Sequence, residues 1–430
     1  MAIREWINPP TSPRLVRALA IMSIVFLASQ NIRQWNDEFA GTIATIQKSD
    51  EAAAIPFCNR AQLQSGQWIE AATIQDHPTW DTDRPMWHAH QYVPELNEYH
   101  WAEGSSCSPH ESDYEWQPHD TQRGTRGAAA SCHFTEWDPN LFCDLMRGST
   151  ILMIGDSLTY EHFQTLVHAL GGNSNVCPTI VQPVCHHKET YVLFKEQRYP
   201  EGKYLKHEGI HALLHQYAPS MVILNQGTHY TTDNELLPEL TKTFETIGRW
   251  QRKCRDIYGV KCHFVWRTTV PGHPNCGLFD APVNDLSFME KSIQRGDSKS
   301  QGWENFEHQN YLVLEKLASM APDNRLSTMV LDAYHLNLLR PDQHRNPPFD
   351  CVHNCLPGKV SVYNQLLLHW LIQERTMDDQ RVLEESSYRP KTPMSVLRPK
   401  GCDQRIAMAA YNTTMTYKRL RTSSEIEVET

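Results

Sequence analysis

Short apolar runs alternate with amphipathic stretches between residues 148 and 376. Most of the runs lack a polar face, as expected of strands buried in a parallel sheet. They are "STILMIGD", "YVLFK", "SMVILNQG", "KCHFVWRTTV" and "TMVLDAYHL". The stretches with helical spacing are "LTYEHFQTLVHAL", "ELLPELTKTFETIGRWQRKCRDIYG", "GWENFEHQNYLVLEKLASMA" and "VSVYNQLLLHWLIQER". This alternation predicts an α/β fold, with a parallel sheet covered by helices on both faces.

Residues 36–147 follow neither the helical nor the strand period. They contain Cys58, Cys107, Cys132 and Cys143, and a stretch dense in Trp, His and Asp. We predict a loop-rich N-terminal subdomain that disulfides attach to the following domain. An alternative role for its aromatic residues is to stack on sugar rings, and the candidates are Trp80, Trp87 and Trp101.

The N-terminal segment, residues 1–35, has the pattern of a membrane-targeting sequence. Arg14 and Arg17 precede an apolar stretch from Ala18 to Ala28, and positive residues before such a stretch direct the following chain across a membrane. This stretch of eleven residues is shorter than the roughly twenty residues that span a bilayer. We therefore expect entry into the secretory pathway, through either a short signal-anchor, which we favour, or a cleaved signal peptide.

Cysteine usage agrees with a lumenal or secreted location. All twelve cysteines lie at or after Cys58, and an even number of them suits a disulfide-bearing domain. The alternative is a reduced cytosolic protein with buried thiols. The sequence leaves the pairing open, and the principal disulfide candidates are Cys58, Cys107, Cys132, Cys143, Cys351, Cys355 and Cys402.

Residues 377–430 are polar and rich in arginine, and we predict a C-terminal tail that is held by Cys402. The sequon at Asn412 is a glycosylation candidate if the tail is lumenal. The formal net charge of the chain is −10, so no broad cationic face is available for nucleic acid. Nothing in the sequence indicates an oligomeric state.

The segment "ILMIGDSLTYEHF" carries the first candidate for chemistry, Ser157. Ser157 follows a buried strand and precedes a helix, so the motif Gly155-Asp156-Ser157 is expected at the edge of the sheet where ligands bind. The amide groups at the start of that helix can stabilise a negatively charged oxygen. The alternative is that Ser157 is only the N-cap of the helix.

A second candidate lies in "PPFDCVHNCLPG", where Asp350 and His353 are three residues apart. A histidine that deprotonates a serine needs an acceptor for its other ring nitrogen, and Asp350 can supply that acceptor to His353. Two alternatives remain, namely a histidine at an ordinary polar surface and a metal site formed by His353 with Cys351 and Cys355.

A third candidate is the segment "VILNQGTHY". Asn225 follows a buried strand, where its amide could donate to an oxyanion together with the backbone amide of Ser157. The alternative for Asn225 is an Asx turn at the end of the strand. Gly227 and His229 lie in the same loop, and His229 is expected either in the same cleft or in an ordinary loop position.

Together these motifs resemble the PC-esterase group of the SGNH, or GDSL-type, hydrolase superfamily. The resemblance is carried by "DLMRGSTILMIGDSLTYEHFQTLV", "VILNQGTHY", "VWRTTVPGHPNC" and "LDAYHLNLLRPDQHRNPPFDCVHNCLPGKVSVYNQLLLHWL", which cover residues from about 114 to 372 together with "WQPHD". "FCNRAQLQSGQW" extends it toward the N-terminus. The group includes plant trichome-birefringence-like polysaccharide O-acetyltransferases. The resemblance implies a three-layer α/β/α SGNH-hydrolase-like catalytic domain over residues 148–376.

The resemblance also implies roles and a location. Ser157 would be the nucleophile, His353 the base and Asp350 the residue that orients it, with Asn225 in the oxyanion hole. The glycine that the superfamily usually adds to that hole is not assigned. Such a protein is usually a Golgi type II membrane protein with a lumenal catalytic domain; a secreted protein is the alternative.

The sequence departs from the plant pattern at three places near the site. Residues Tyr160, Glu161, His162 and Phe163 stand where the plant group usually has Arg-Asn-Gln-Trp, and Asn354 replaces a Trp. The motif around Asn225 reads "NQGTHY" where the plant group has "NTGHWW". These differences leave the three catalytic candidates intact. They indicate a divergent branch with an altered acceptor or donor contact.

The resulting expectation is an O-acetyltransferase that passes an acetyl group through Ser157 to a carbohydrate polymer or glycan. It would need no bound cofactor or metal, and would use acetyl-CoA or another acetyl donor as co-substrate. A carbohydrate acetyl esterase with the same three residues is the first alternative. A non-catalytic glycan-binding protein is the second, although loss of one catalytic residue would then be expected.

Overall fold

The computed structural model describes residues 57–70, 90–93, 98–101, 114–118, 132–172, 179–196, 207–230, 232–295, 302–321, 326–356 and 358–384. Several sequence predictions lie outside these residues. They concern the segment 1–35, the rings of Trp80, Trp87 and Trp101, the cysteines Cys107 and Cys402, the sequon at Asn412, and residues 385–430 of the tail.

The N-terminal region is built from short elements. It contains helix α1 (Arg60–Gln64) and strands β1 (Gly66–Glu70), β2 (His90–Val93), β3 (Glu98–Trp101) and β4 (Tyr114–Pro118). β1 pairs with β4 and β2 pairs with β3, both in antiparallel fashion. Strands of four or five residues are too short to display a clear period, which is why the sequence indicated only loops here.

Two buried tryptophans attach this region to the rest of the molecule. Trp68 and Trp116 face each other across the β1–β4 pair, with ring centroids 5.7 Å apart. The indole of Trp68 donates to the carbonyl oxygen of Leu336 at 3.1 Å. The guanidinium carbon of Arg340 lies 4.6 Å from the centre of the Trp68 ring, a cation–π distance.

After helix α2 (Pro139–Leu145), the chain forms a six-stranded central sheet. Its strands are β5 (Thr150–Gly155), β6 (Thr179–Val184), β7 (Thr190–Glu196), β8 (Met221–Leu224), β9 (His263–Arg267) and β10 (Met329–Leu331). The spatial order is β10-β9-β8-β5-β7-β6. Five strands are parallel, as predicted, and β6 is an antiparallel edge strand that the sequence did not indicate. Pro183 interrupts its apolar pattern, and proline is tolerated at a sheet edge.

Both faces of the sheet are covered, which confirms the predicted α/β/α arrangement. Along β5, Ile151 and Met153 point to one apolar core and Leu152 and Ile154 to the other. All six residues of β5 are buried. A central strand with no polar position follows from burial on both sides.

Most of the remaining helices pack on one of these two cores. In chain order they are α3 (Ser157–Ala169), α4 (His207–Tyr217), α5 (Asp233–Lys253), α6 (Leu286–Gln294), α7 (Phe306–Met320), α8 (Tyr334–Leu338) and α9 (Ser361–Glu384). α3 and α9 pack on the face of Ile151, and α4, α5 and α7 pack on the face of Leu152. α6 belongs to a smaller third cluster with Trp303 and Phe306. A short hairpin, β11 (His344–Asn346) and β12 (Asp350–Asn354), stands apart from the sheet.

The segment "TMVLDAYHL" was predicted to be one strand, and this was wrong for its second half. The strand ends at Leu331, and helix α8 begins at Tyr334. The hydroxyl oxygen of Thr268 accepts from the backbone amides of Ala333 and Tyr334, at 2.8 and 3.0 Å. Hydrogen bonds to the residue that follows β9 therefore stabilise this turn, and the local sequence carries no sign of them.

Disulfides connect parts of the described chain that lie between 8 and 75 residues apart in sequence. The bonded pairs are Cys58–Cys132, Cys143–Cys185, Cys254–Cys262 and Cys276–Cys351. Cys355 is disulfide-bonded as well. Such oxidation is typical of secreted and lumenal proteins. Within the described ranges, no helix is both long enough and apolar enough to cross a membrane.

Candidate active site

Ser157 is the first residue of α3, directly after β5, and its side chain is exposed. The helix is capped by its neighbour: Oδ1 of Asp156 accepts from the amides of Leu158 and Thr159, at 3.0 and 3.2 Å. The N-cap of this helix is therefore Asp156, and the alternative hypothesis that Ser157 is only the N-cap does not hold. The serine hydroxyl remains available for another partner.

That partner is His353. The Nε2 atom of His353 lies 2.8 Å from Oγ of Ser157, and its Nδ1 atom lies 3.0 Å from Oδ2 of Asp350. A carboxylate only accepts, so Nδ1 carries the proton and Nε2 can accept the serine proton. The three predicted residues thus form the line of contacts found in serine-dependent acyl transfer.

The β11–β12 hairpin places the acid and the base. Oδ1 of Asp350 accepts from the backbone amides of Val352 and His353, at 3.2 and 3.1 Å. Arg345, on the facing strand, donates to Oδ2 of Asp350 at 2.7 Å. The Cys276–Cys351 disulfide fixes the residue next to Asp350. Both oxygens of the carboxylate are therefore held, and the imidazole is oriented by a restrained partner.

Charges near the site favour an ionised Asp350 and a basic His353. Burial opposes ionisation of Asp350, but its bonds to His353 and the charges of His353 and Arg345 hold its pKa well below the usual range. Burial also opposes the charged form of His353. The bond to Asp350 and the charges of Glu161 and Asp350 outweigh that effect, so the pKa of His353 is raised.

Asn225 has a different environment from the one the sequence predicted. Its side chain is 1% exposed, and its amide donates to the carbonyl oxygen of Arg267 at 2.9 Å and to Oγ1 of Thr269 at 3.1 Å. Both amide hydrogens are thus used inside the protein. In this structure Asn225 joins the ends of β8 and β9, and it does not offer a donor to an oxyanion.

The glycines of the two motifs allow close packing. A Cβ atom at Gly155 would overlap Oγ1 of Thr159, and one at Gly227 would overlap Oγ1 of Thr269. Each loop therefore packs so closely against a threonine that only glycine, which has no side chain, fits at this position. His229, which was expected either in the cleft or in an ordinary loop position, is exposed in the loop that follows β8.

Beneath α3 lies a buried cation that the sequence did not reveal. Arg267, at the end of β9, is 1% exposed and donates to Oγ1 of Thr159 at 2.8 Å. It lies 3.9 Å from Oδ1 of Asp156. Nothing in "VWRTTV" distinguishes this arginine from a surface residue at a strand end. Its burial follows from contacts with Thr159 and Asp156, which are distant in sequence and which the local motif does not indicate.

Glu161 is a second residue near the site that the sequence did not assign. It is buried four residues after Ser157, on the same side of α3, and its carboxylate contacts Asn354. The spacing from Ser157 could have indicated proximity, but a glutamate on a helix is usually solvated.

The metal alternative at His353 does not fit the structure. Cys351 and Cys355 are both disulfide-bonded, so neither offers a thiolate. Among the residues that the structure describes, no cluster of His, Cys, Asp and Glu is arranged to hold a metal ion.

Residues 202–370 match PC-Esterase, described as a "GDSL/SGNH-like Acyl-Esterase family found in Pmr5 and Cas1p". The chain carries a PC-Esterase family domain. Over these residues, the match confirms the resemblance that the motifs indicated. The matched range includes Asp350 and His353 but begins after Ser157. Ser157 is connected to this range by its hydrogen bond with His353.

Two further comparisons accompany this match. The chain is 20% identical over 326 residues to "Protein trichome birefringence-like 25" of Arabidopsis thaliana, covering 60% of this chain and 67% of the plant protein. A crystal structure of an acetyl esterase mutant with acetate ion matches with a TM-score of 0.30 and 11% identity, over 56% of this chain and 100% of that chain. The PC-Esterase domain marks an enzyme of the esterase or acyltransferase type.

Proposed function

We propose that this protein transfers an acetyl group, through an acetyl ester of Ser157, to a hydroxyl group of a carbohydrate polymer or glycan. The observation that carries the proposal is the 2.8 Å contact between Nε2 of His353 and Oγ of Ser157, with Asp350 bonded to the opposite ring nitrogen. The family resemblance supports the carbohydrate acceptor. Acetyl-CoA is the donor we propose, and another acetyl donor would serve the same chemistry.

In the first step, His353 takes the proton of Ser157 while the serine oxygen attacks the acetyl carbonyl of the donor. The tetrahedral intermediate collapses, and the leaving group of the donor departs with the proton from His353. We assign the backbone amide of Ser157, at the start of α3, as the donor to the developing oxyanion. The next two amides, of Leu158 and Thr159, already donate to Asp156.

In the second step, a sugar hydroxyl attacks the acetyl group on Ser157. His353 removes the hydroxyl proton and returns it to the serine oxygen as the new ester leaves. Asp350 stabilises the imidazolium in both steps. Every proton that His353 accepts is released in the same half-reaction, so the proton balance closes within the three residues and the two substrates.

Hydrolysis is the second candidate function. The exposed hydroxyl of Ser157 is within reach of water, and the PC-Esterase family is described as one of acyl-esterases. An esterase would use the same three residues with water in place of the sugar. Transfer and hydrolysis therefore differ in what attacks the acetyl-serine.

We further propose that the protein acts in the secretory pathway, as a Golgi membrane protein with a lumenal catalytic domain. The disulfides of the described residues support an oxidising compartment. The basic and apolar pattern of residues 1–35 supports an anchor in the membrane.

The decisive experiment follows a labelled acetyl group. The full chain, produced in a secretory host, is incubated with labelled acetyl-CoA and a panel of oligosaccharides, and mass spectrometry compares acetyl-sugar with free acetate. Ser157→Ala is the test variant, and Ser319→Ala, an exposed serine on α7, is the matched control. Acetyl-sugar that requires Ser157 supports transfer, and free acetate alone supports the esterase.

A protein that makes neither product, and whose Ser157 is not labelled by a fluorophosphonate probe, would overturn both enzymatic functions. The non-catalytic glycan-binding protein would then be the remaining candidate. Labelling of Ser157 without either product would instead direct the search to other donors and acceptors.

A further inference from the structure

Two of the positions at which this chain departs from the plant pattern are in direct contact. Oε1 of Glu161, on α3, accepts from the backbone amide of Asn354 at 3.0 Å. Oε2 of Glu161 accepts from the side-chain amide of Asn354 at 2.7 Å. The two side chains are 1% and 2% exposed, so the contact is shielded from water.

The geometry requires an acceptor at both oxygens of residue 161. Asn354 presents two N–H donors, one from the main chain and one from the side chain. An ionised carboxylate accepts at both oxygens, whereas a protonated one carries a hydrogen on one of them. The contact is therefore best satisfied when Glu161 is ionised, and bonds to a charged acceptor are the stronger kind.

This carboxylate acts next to the catalytic base. Asn354 is the residue after His353 in β12. The hydrogen bond from its backbone amide to Glu161 therefore restrains the main chain next to the catalytic histidine. Glu161 is also four residues after Ser157 on the same helix. One side chain thus connects the helix that carries the nucleophile with the strand that carries the base.

We propose that Glu161 is a positioning residue of the active site, which fixes β12 beside α3 and supplies a second negative charge that favours the protonated form of His353. Asp350 is the first such charge. This inference rests on the proposed function for its catalytic meaning, but the contact and the charge exist whether or not acetyl is transferred.

The charges around Glu161 set the pH range over which this role operates. Burial raises the pKa of Glu161 to about 7, against the opposing effects of His353, Asn354 and Arg345, so the carboxylate is fully charged only above that pH and loses its charge as the pH falls. The surrounding elements also bring Lys359 and Tyr363 within its electrostatic reach. The charge of Glu161 is in turn one of the causes that raise the pKa of His353.

The test is a histidine titration that needs no turnover. Ser157→Ala protein with ¹³C-labelled histidine is titrated by NMR, and the His353 signal is identified by its loss in His353→Gln. Adding Glu161→Gln removes the charge and keeps the shape, and we expect the pKa of His353 to fall by about one unit. A carboxylate that only supported the fold would leave this pKa unchanged.

Two further variants complete the test. The double change Glu161→Gln/Asn354→Asp reverses the pair, since the introduced glutamine would accept from the main chain and donate to the introduced carboxylate. We expect it to return the pKa of His353 toward the parent value. Glu374→Gln is the matched control, because Glu374 bonds His263 at 3.1 Å on other elements, and it should leave His353 unchanged.

If Glu161→Gln alone does not fold, as judged by circular dichroism, the double variant decides. A folded double variant with the parent pKa supports the proposal. No shift in Glu161→Gln, or no recovery in a double variant, overturns it. Wild-type protein that lacks Ser157-dependent turnover would instead refute the proposed function, and the titration would still report on Glu161.

Discussion

Nε2 of His353 lies 2.8 Å from Oγ of Ser157, although the two residues are 196 positions apart in the chain. The serine starts the helix after β5, and the histidine lies on a hairpin outside the central sheet. Their meeting depends on the packing of β12 against α3 more than on either local motif.

Removal of the base should abolish activity without unfolding the protein. We expect His353→Ala to lower the rate of acetyl transfer or hydrolysis by about 10⁴-fold, because Ser157 then has no proton acceptor. His211→Ala, an exposed histidine on α4, is the control. Steady-state rates with a labelled acetyl donor make the measurement, and a His353→Ala protein within roughly tenfold of wild type would contradict the assignment.

The reaction should require a pH above the ordinary histidine range. His353 must be neutral to accept a proton, and its pKa is raised above 6.5. Activity is therefore fully present above that raised pKa and is lost as the pH falls through it. A profile of kcat/KM against pH measures the midpoint. An acidic limb centred below 6.5, the ordinary pKa of histidine, would show that another group controls the reaction.

Arg345 offers a test with the opposite sign. Its positive charge is among the causes that lower the pKa of His353, so its removal should raise that pKa. We expect Arg345→Gln to move the acidic limb upward by about half a pH unit, since its side chain is 36% exposed and solvent weakens the effect. The same profile checks this, and a downward shift would exclude the proposed charge arrangement.

The Cys276–Cys351 disulfide should matter for both stability and rate. It closes a loop with a sequence separation of 75 residues, so Cys276→Ser/Cys351→Ser should lower the free energy of unfolding by about 4.5 kcal/mol. Activity should also fall, because Cys351 lies between Asp350 and His353.

The control is the bond between Cys254 and Cys262, with a separation of 8 residues. Its removal should lower the free energy of unfolding by about 2.5 kcal/mol and leave the rate intact. Denaturant unfolding and turnover below the melting transition are measured on both variants. Equal losses of rate would indicate a general effect of destabilisation.

Asn225 separates a structural from a catalytic role. The side-chain amide bonds within the protein, so Asn225→Ala should lower the free energy of unfolding by about 2 kcal/mol as two buried acceptors lose their donor. An oxyanion donor would instead affect kcat by about 10²- to 10³-fold with unchanged stability. Thermal unfolding and kcat, measured on one preparation, distinguish the two.

The central strands could be predicted because burial on both faces leaves a continuous apolar run, as in β5 and β8. The β6 edge strand and the turn after Leu331 could not be predicted. Pro183 is compatible with a strand only because β6 lies at the sheet edge, and the turn is stabilised by Thr268, which is distant in sequence. Local pattern reports burial and spacing. It does not report which distant donor or acceptor a backbone group meets.

The same limit applied to the site. Ser157 was predicted from its place between a strand and a helix, and Asp350 and His353 from their spacing of three residues; the structure brings all three together. Asn225 was assigned by its position after a strand, but its amide is taken up by Arg267 and Thr269. Helix position alone gave no reason to expect a buried Glu161.

The capping of α3 by Asp156 has a consequence for how the Gly-Asp-Ser pattern is interpreted. In an alanine scan scored by activity, Asp156 would rank with the three reacting residues, because an uncapped helix start would displace the serine. Yet its carboxylate holds amides and touches no reacting atom. The aspartate of the Gly-Asp-Ser pattern therefore caps the helix. Replacing Asp156 with asparagine, which also caps helices, would distinguish this structural role from a catalytic one.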